Sequence, residues 1–270
     1  MDNLFLIQLI SSFLVGGSLI AFLSFIAEKA SEKVAGIIIT LPSTIVISFF
    51  FIGWTLSPEK IAEIAPIVPI VGGATMIFAT TYLYLSKIKL KKPYSIALCL
   101  IGSLFIWFAF AIPIGLLKIS NLAISLTGYI ILLSIAYYFL TIRPKKKSTH
   151  VILKYSTGQK ISRAIFVGFI IALTVFLAKT LGAFWGGVFS AFPAVFLSTL
   201  VILHWHYDSS FLFKIWKTSP LGSIMFIVYP LTAMHTFPAF GIVLGTIISY
   251  LISMVIFLLI TKVQTKKNTY

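Results

Sequence analysis

The chain has 270 residues, of which 59% are hydrophobic and 10% charged, and its mean hydropathy is +1.07. A soluble globule carries about 25% charged residues, so this composition excludes one and points to an integral membrane protein. The net charge of +15 lies in short runs between apolar segments rather than on one patch, which excludes a nucleic-acid surface and reads as membrane topology.

Apolar windows of membrane-spanning length fall, in chain order, near 4–27, 34–56, 64–86, 95–117, 121–142, 162–179, 183–205, 218–236 and 238–261. The predicted fold is therefore an all-α polytopic membrane protein of about nine transmembrane helices. Met1-Asp2-Asn3 precedes the first window without a basic region or a small-residue cleavage site, so that window is expected to remain as a true helix. The eighth window is the weakest, interrupted by Pro220, Pro230 and His235. Cytoplasmic loops retain lysine and arginine. With the N-terminus outside, eighteen of the 21 basic residues fall on the inner side, and only Lys60, Lys118 and Lys179 fall outside. The expectation is a multi-pass protein of the cell membrane with an external N-terminus and a cytoplasmic C-terminus.

A stretch in the second window returns 151 residues later. Gly36-Ile-Ile-Ile-Thr-Leu-Pro42-Ser43 is matched by Gly187-Val-Phe-Ser-Ala-Phe-Pro193-Ala194, and the same offset pairs Trp54 with Trp205 and Pro69 with Pro220. A fixed-offset match is the mark of a duplicated unit. The chain divides into a first four-helix copy (1–120), a connector helix with a basic loop (121–163) and a second four-helix copy (164–270). The single connector helix leaves the second copy upside down, so the repeats are predicted to be inverted, with a binding site near the bilayer midplane. Both prolines fall near the middle of their windows, where proline removes a backbone hydrogen bond and breaks the helix. Gly36, Thr40, Pro42 and Ser43 of one copy, with Gly187, Ser190 and Pro193 of the other, are the predicted substrate-binding residues. Packing is the competing explanation, because proline and glycine are common in membrane helices.

The chain has six acidic residues, Asp2, Glu28, Glu32, Glu59, Glu63 and Asp208, and none is in the centre of a window. Glu63, just before the third helix, and His235 in the eighth are the candidates for ion coupling. In His204-Trp205-His206-Tyr207-Asp208, a helix puts His204 and Asp208 on one face and turns His206 away, so an interfacial cluster is expected and no metal site. Cys99 is the single cysteine, which leaves no disulfide within the chain. No nucleophile with its base, phosphate loop or dinucleotide fingerprint is present, so neither an enzyme nor a cofactor is expected. Half-helices starting at the two prolines would aim their positive ends at the midplane, which favours an anionic or strongly hydrogen-bond-accepting solute.

The segment from Ala178 through Gly186-Gly187-Val-Phe-Ser-Ala-Phe-Pro193 to His204-Trp205 and then Ser219-Pro220 resembles the small four-helix GlpM-like bacterial membrane proteins. In that group a Gly-Gly stretch ending in proline closes one helix hairpin and a later proline opens the next helix. The resemblance implies a doubled four-helix unit and names no substrate. The leading functional reading is a secondary transporter or permease for a small solute, with the lipid bilayer as surroundings. The alternative is a non-transporting or lipid-handling membrane protein, flippase-like or a scaffold.

Overall fold

In a computed structural model, residues 3–29, 42–142, 156–217 and 219–267 are described. Every regular element among them is helical. Among the described residues, seven helical stretches are long and apolar enough to cross a membrane: Asn3–Ile26, Pro58–Leu85, Lys92–Leu116, Leu122–Ile142, Thr157–Thr180, Ala183–His206 and Ser209–Ile260. A shorter apolar helix, Ser43–Thr55, accompanies them.

Helix α1 (Asn3–Lys29) is followed by α2 (Ser43–Thr55), which starts directly after Pro42. Pro58 opens α3 (Pro58–Ile64) at its first turn, where a missing N–H costs nothing. One 3-10 turn, Ala65–Ile67, then leads into α4 (Val68–Leu85). After α5 (Lys92–Leu116) comes α6 (Leu122–Tyr137), capped by Asn121 and ending in the π turn Tyr138–Ile142. Helix α6 docks on α4, where the Ile70 N–H, left over at a helix start, donates to Ser125 Oγ at 3.1 Å.

Helix α7 (Thr157–Thr180) begins five residues before the sequence window. Ser156 and Gln159 form a capping box that satisfies its first N–H groups, so residues 157–163, expected in the basic loop, are helical. Helices α8 (Ala183–Ser190) and α9 (Ala194–His206) form the broken pair, and α10 (Ser209–Trp216) is capped by Asp208. A four-residue turn, α11 (Ser219–Gly222), precedes α12 (Met225–Lys267). The long α12 is interrupted at Gly241, whose φ of 74° and ψ of −176° suit glycine and turn the chain back on itself. Its arms, 225–240 and 242–267, touch where Thr236 bonds Ser249 at 2.5 Å and where a Cβ on Gly245 would lie 2.9 Å from the Phe237 Cα. The two expected windows, 218–236 and 238–261, therefore part at Gly241 rather than at residue 237.

Burial ranks the helices. In Pro58–Leu85 and Ala183–His206, 78% of the most apolar stretch is buried inside the protein, against 22% to 44% for the other five. The broken second-copy helix and the α3–α4 unit are therefore the centre, and α1, α5, α6 and the second arm of α12 present apolar faces outward.

The element bounds repeat at the 151-residue offset seen in the sequence. Helices α2 and α9 each have 13 residues, α3 and α10 start at Pro58 and Ser209, and α5 matches the second arm of α12. Helices α1 and α7, equivalents under that offset, lie side by side and run antiparallel. Phe5 stacks on Phe176, Phe25 faces Lys160, and between those ends the backbones nearly touch. A Cβ on Gly17 would lie 2.8 Å from the Ala164 carbonyl, and one on Gly168 would lie 2.6 Å from the Phe13 carbonyl. Those two contacts are exchanged by the offset, since Phe13 corresponds to Ala164 and Gly17 to Gly168. Such exchange is what a two-fold relation between the helices produces.

Candidate functional site

Pro42 and Pro193 hold almost the same backbone conformation, φ −78° and ψ 42° in one and φ −74° and ψ 41° in the other, and each is the N-cap of a helix. Their carbonyls accept the first helical bonds, from Val46 N at 2.9 Å and Leu197 N at 2.7 Å. Both prolines are buried among protein side chains rather than turned to the outer face. Ser43, the first residue of α2, is buried with Pro42. Gly36 and Thr40 lie outside the described residues.

At the second break several freed backbone groups find partners within the protein. The Ala194 N–H donates to the Phe192 carbonyl at 2.7 Å. The Ala191 carbonyl accepts from Thr75 Oγ1 of α4 at 2.7 Å, and Thr75 Oγ1 in turn accepts from Trp107 Nε1 of α5 at 3.1 Å. Ser190 is fully buried and donates to the Gly187 carbonyl at 2.7 Å. Gly187 allows α8 to lie on the end of α3, because a Cβ there would come within 3.0 Å of Ile64 and Ile67. Trp107 packs edge-on against Phe189 and Phe192, with ring centroids 5.7 and 5.0 Å away. First-copy helices thus supply both the polar and the aromatic support of the second-copy break. Thr75→Val is expected to orphan the Ala191 carbonyl and the Trp107 N–H together, at about 1–3 kcal/mol for each buried group. A thermal melt of the detergent-purified variant would measure this, and an unchanged midpoint would rule out the bridge.

The two coupling candidates lie at the surface. Glu63 is exposed and pairs with Lys60 at 2.8 Å one turn back, and exposed pairs of that kind contribute little to stability. His235 is exposed on α12.

The His204–Asp208 cluster separates into three tasks. His206 accepts from the Gln159 amide at 2.7 Å, and Asp208 caps α10 through Phe211 N at 3.1 Å. His204, expected at an interface, is buried. Its Nδ1 lies 3.3 Å from Tyr82 Oη and its Nε2 lies 3.3 Å from Ser95 Oγ. Among the described residues no group of three His, Cys, Asp or Glu side chains stands close enough to hold a metal.

Sequence reading missed two further features. Gln8 and Gln159 occupy the same place under the 151-residue offset, and each reaches the end of its copy's second helix: Gln8 donates to the Trp54 carbonyl at 3.0 Å, and Gln159 to the His206 ring. The offset itself could have found that pair. Arg163, placed in the loop, is buried in the second turn of α7, where the capping box at Ser156 was the available signal. An open apolar groove of about 590 Å³ runs on the outer face beside α1 and α7, lined by Phe13, Ile161, Ile165, Phe166 and Phe169 with Gly158 and Ser162.

Residues 160–265 match a family described as a protein of unknown function, DUF3147. The match covers α7 through most of α12, the second copy alone. No curated protein and no solved structure matches the chain.

Proposed function

We propose that the chain is a secondary transporter or permease for a small solute, built from two inverted four-helix copies that rock about broken helices near the bilayer midplane. The observation that carries this reading is the matched pair of helix starts at Pro42 and Pro193, with nearly equal dihedral angles and burial inside the protein. Support for inversion comes from the antiparallel course of α1 and α7. Support for nine crossings comes from α2 and from the division of α12 at Gly241, which add to the other stretches of spanning length. The basic residues favour an external N-terminus, a cytoplasmic C-terminus and the cell membrane. The GlpM-like resemblance and the DUF3147 match fall on the same second copy, in keeping with a four-helix unit used twice.

The favoured solute is anionic or strongly hydrogen-bond accepting. Two half-helix starts follow Pro42 and Pro193, and no acidic side chain is buried among the described residues. A thermal-shift screen of metabolites on purified protein would nominate the solute, and uptake into liposomes along an imposed gradient would test transport. The second reading, lipid handling, is favoured by one observation, the apolar groove beside α1 and α7 with its length of exposed phenylalanine and isoleucine. Movement of a fluorescent phospholipid between leaflets of those liposomes, without solute uptake, would select it.

A further inference from the structure

The far end of α9 is tied to the first copy through polar groups that have no counterpart at the matching end of α2. His204 sits between Tyr82 of α4 and Ser95 of α5, and its ring meets the Tyr82 ring edge-on at 5.7 Å. Lys92, at the start of α5, donates from Nζ to the His204 and Tyr207 carbonyls at 2.7 and 2.5 Å, closing the C-terminal end of α9. Under the 151-residue offset His204 corresponds to Gly53. There the seam is bare and apolar, with Phe237, Ile242 and Ile61 the nearest side chains.

A neutral imidazole donates at one nitrogen and accepts at the other, and two hydroxyls complement either tautomer. An imidazolium donates at both, so both hydroxyls must accept: Ser95 can turn its proton to Cys99 one turn on, but Tyr82 Oη has no other hydrogen-bond partner among the described residues. The charges on surrounding elements resist a second cation. They are Lys92 on α5, Lys160 and Arg163 on α7, Lys87 beyond α4, Lys214 on α10 and Lys217 just after it, with Asp208 the acid of the same segment and Tyr82, Cys99, His206 and Tyr207 the other titratable groups. The helix-end dipole that attracts a positive charge is already answered by Lys92.

We infer that His204 is a proton-binding gate. Uptake of one proton by its imidazole releases the end of α9 from α4 and α5 and opens that end of the path between the copies. On the transporter reading above, which this step extends, the coupling ion is then a proton.

The native Cys99 reports the motion. It is the single cysteine, fully buried, one helical turn from Ser95 and hydrogen-bonded to it. The experiment compares the N-ethylmaleimide labelling rate of Cys99 in reconstituted wild-type protein with that in His204→Gln, taking the ratio so that thiol ionisation cancels. The ratio is expected to rise about tenfold from about pH 8 to about pH 5.5, either side of the ordinary histidine value of ~6.5. A ratio that stays flat overturns the gate. Lys92→Gln provides a second reading that needs no His204 variant: removing the neighbouring cation should move the midpoint of wild-type opening to higher pH, and an unmoved midpoint also overturns it. Labelling requires no solute, so these outcomes decide the gate separately from any flux result.

Discussion

Liposomes carrying the double variant Pro42→Ala, Pro193→Ala are expected to lose solute movement by at least about tenfold while the protein still inserts and folds. Proline in a helix interior costs ~3 kcal/mol relative to alanine, so alanine removes the main local obstacle to a continuous helix across each break. Straightening α8 into α9 would carry Ala191 into a regular turn and withdraw its carbonyl from Thr75. Both half-helix starts would vanish with the breaks, and with them the positive helix ends that favour an anionic solute. Stability should change little, because the gain in helix propensity is offset by the lost bridge. Flux measured beside a thermal melt separates these effects. Normal transport by the double variant would reduce the breaks to packing features.

The second large effect is steric. At the crossing of α1 and α7, Gly168 and Gly17 let the two backbones touch, and the atoms met by an added Cβ are carbonyl oxygens at 2.6 and 2.8 Å. Carbonyls in helices cannot rotate aside as a side chain can, so the helices must separate. Gly168→Ala is expected to destabilise the protein by ~1–3 kcal/mol, the ordinary cost of overpacking, and Gly17→Ala by a similar amount. Gly158→Ala serves as the control, since only Ser156 Oγ lies nearby at 4.0 Å, and its better helix propensity should make it neutral or stabilising by up to ~1 kcal/mol. Equal melting temperatures for Gly168→Ala and wild type would mean that α1 and α7 do not pack as described.

Much of the frame was readable because it rests on features that sequence displays directly. Apolar length marked the helices, and Pro42 and Pro193, found by the offset, reach the same φ and ψ. Boundaries that depend on capping were harder. Helix α7 begins at Thr157 because Ser156 and Gln159 exchange bonds, a signal weaker than the lysines around it. His204 looked interfacial from its neighbours Trp205 and His206, both exposed, while its own surroundings come from Tyr82 and Ser95, more than a hundred residues away in the chain. Charge alone drew attention to Glu63, whose place ahead of the third apolar window does not tell that it lies within α3 and pairs with Lys60 at the surface. Thr75 carried no signal at all, because its importance comes from a carbonyl freed on another helix.

Inversion of the two copies is the claim on which the transporter reading depends, and one pair of positions tests it most directly. Glu59 and Ser210 are equivalent under the 151-residue offset, lie in the first turns of α3 and α10, and are both exposed. In a Cys99→Ala background, Glu59→Cys and Ser210→Cys would each be treated, in intact cells, with a thiol reagent that does not cross membranes. The expected result is labelling of Glu59→Cys from outside and of Ser210→Cys only after the membrane is opened. Labelling of both from the same side would make the copies parallel and contradict the inverted arrangement.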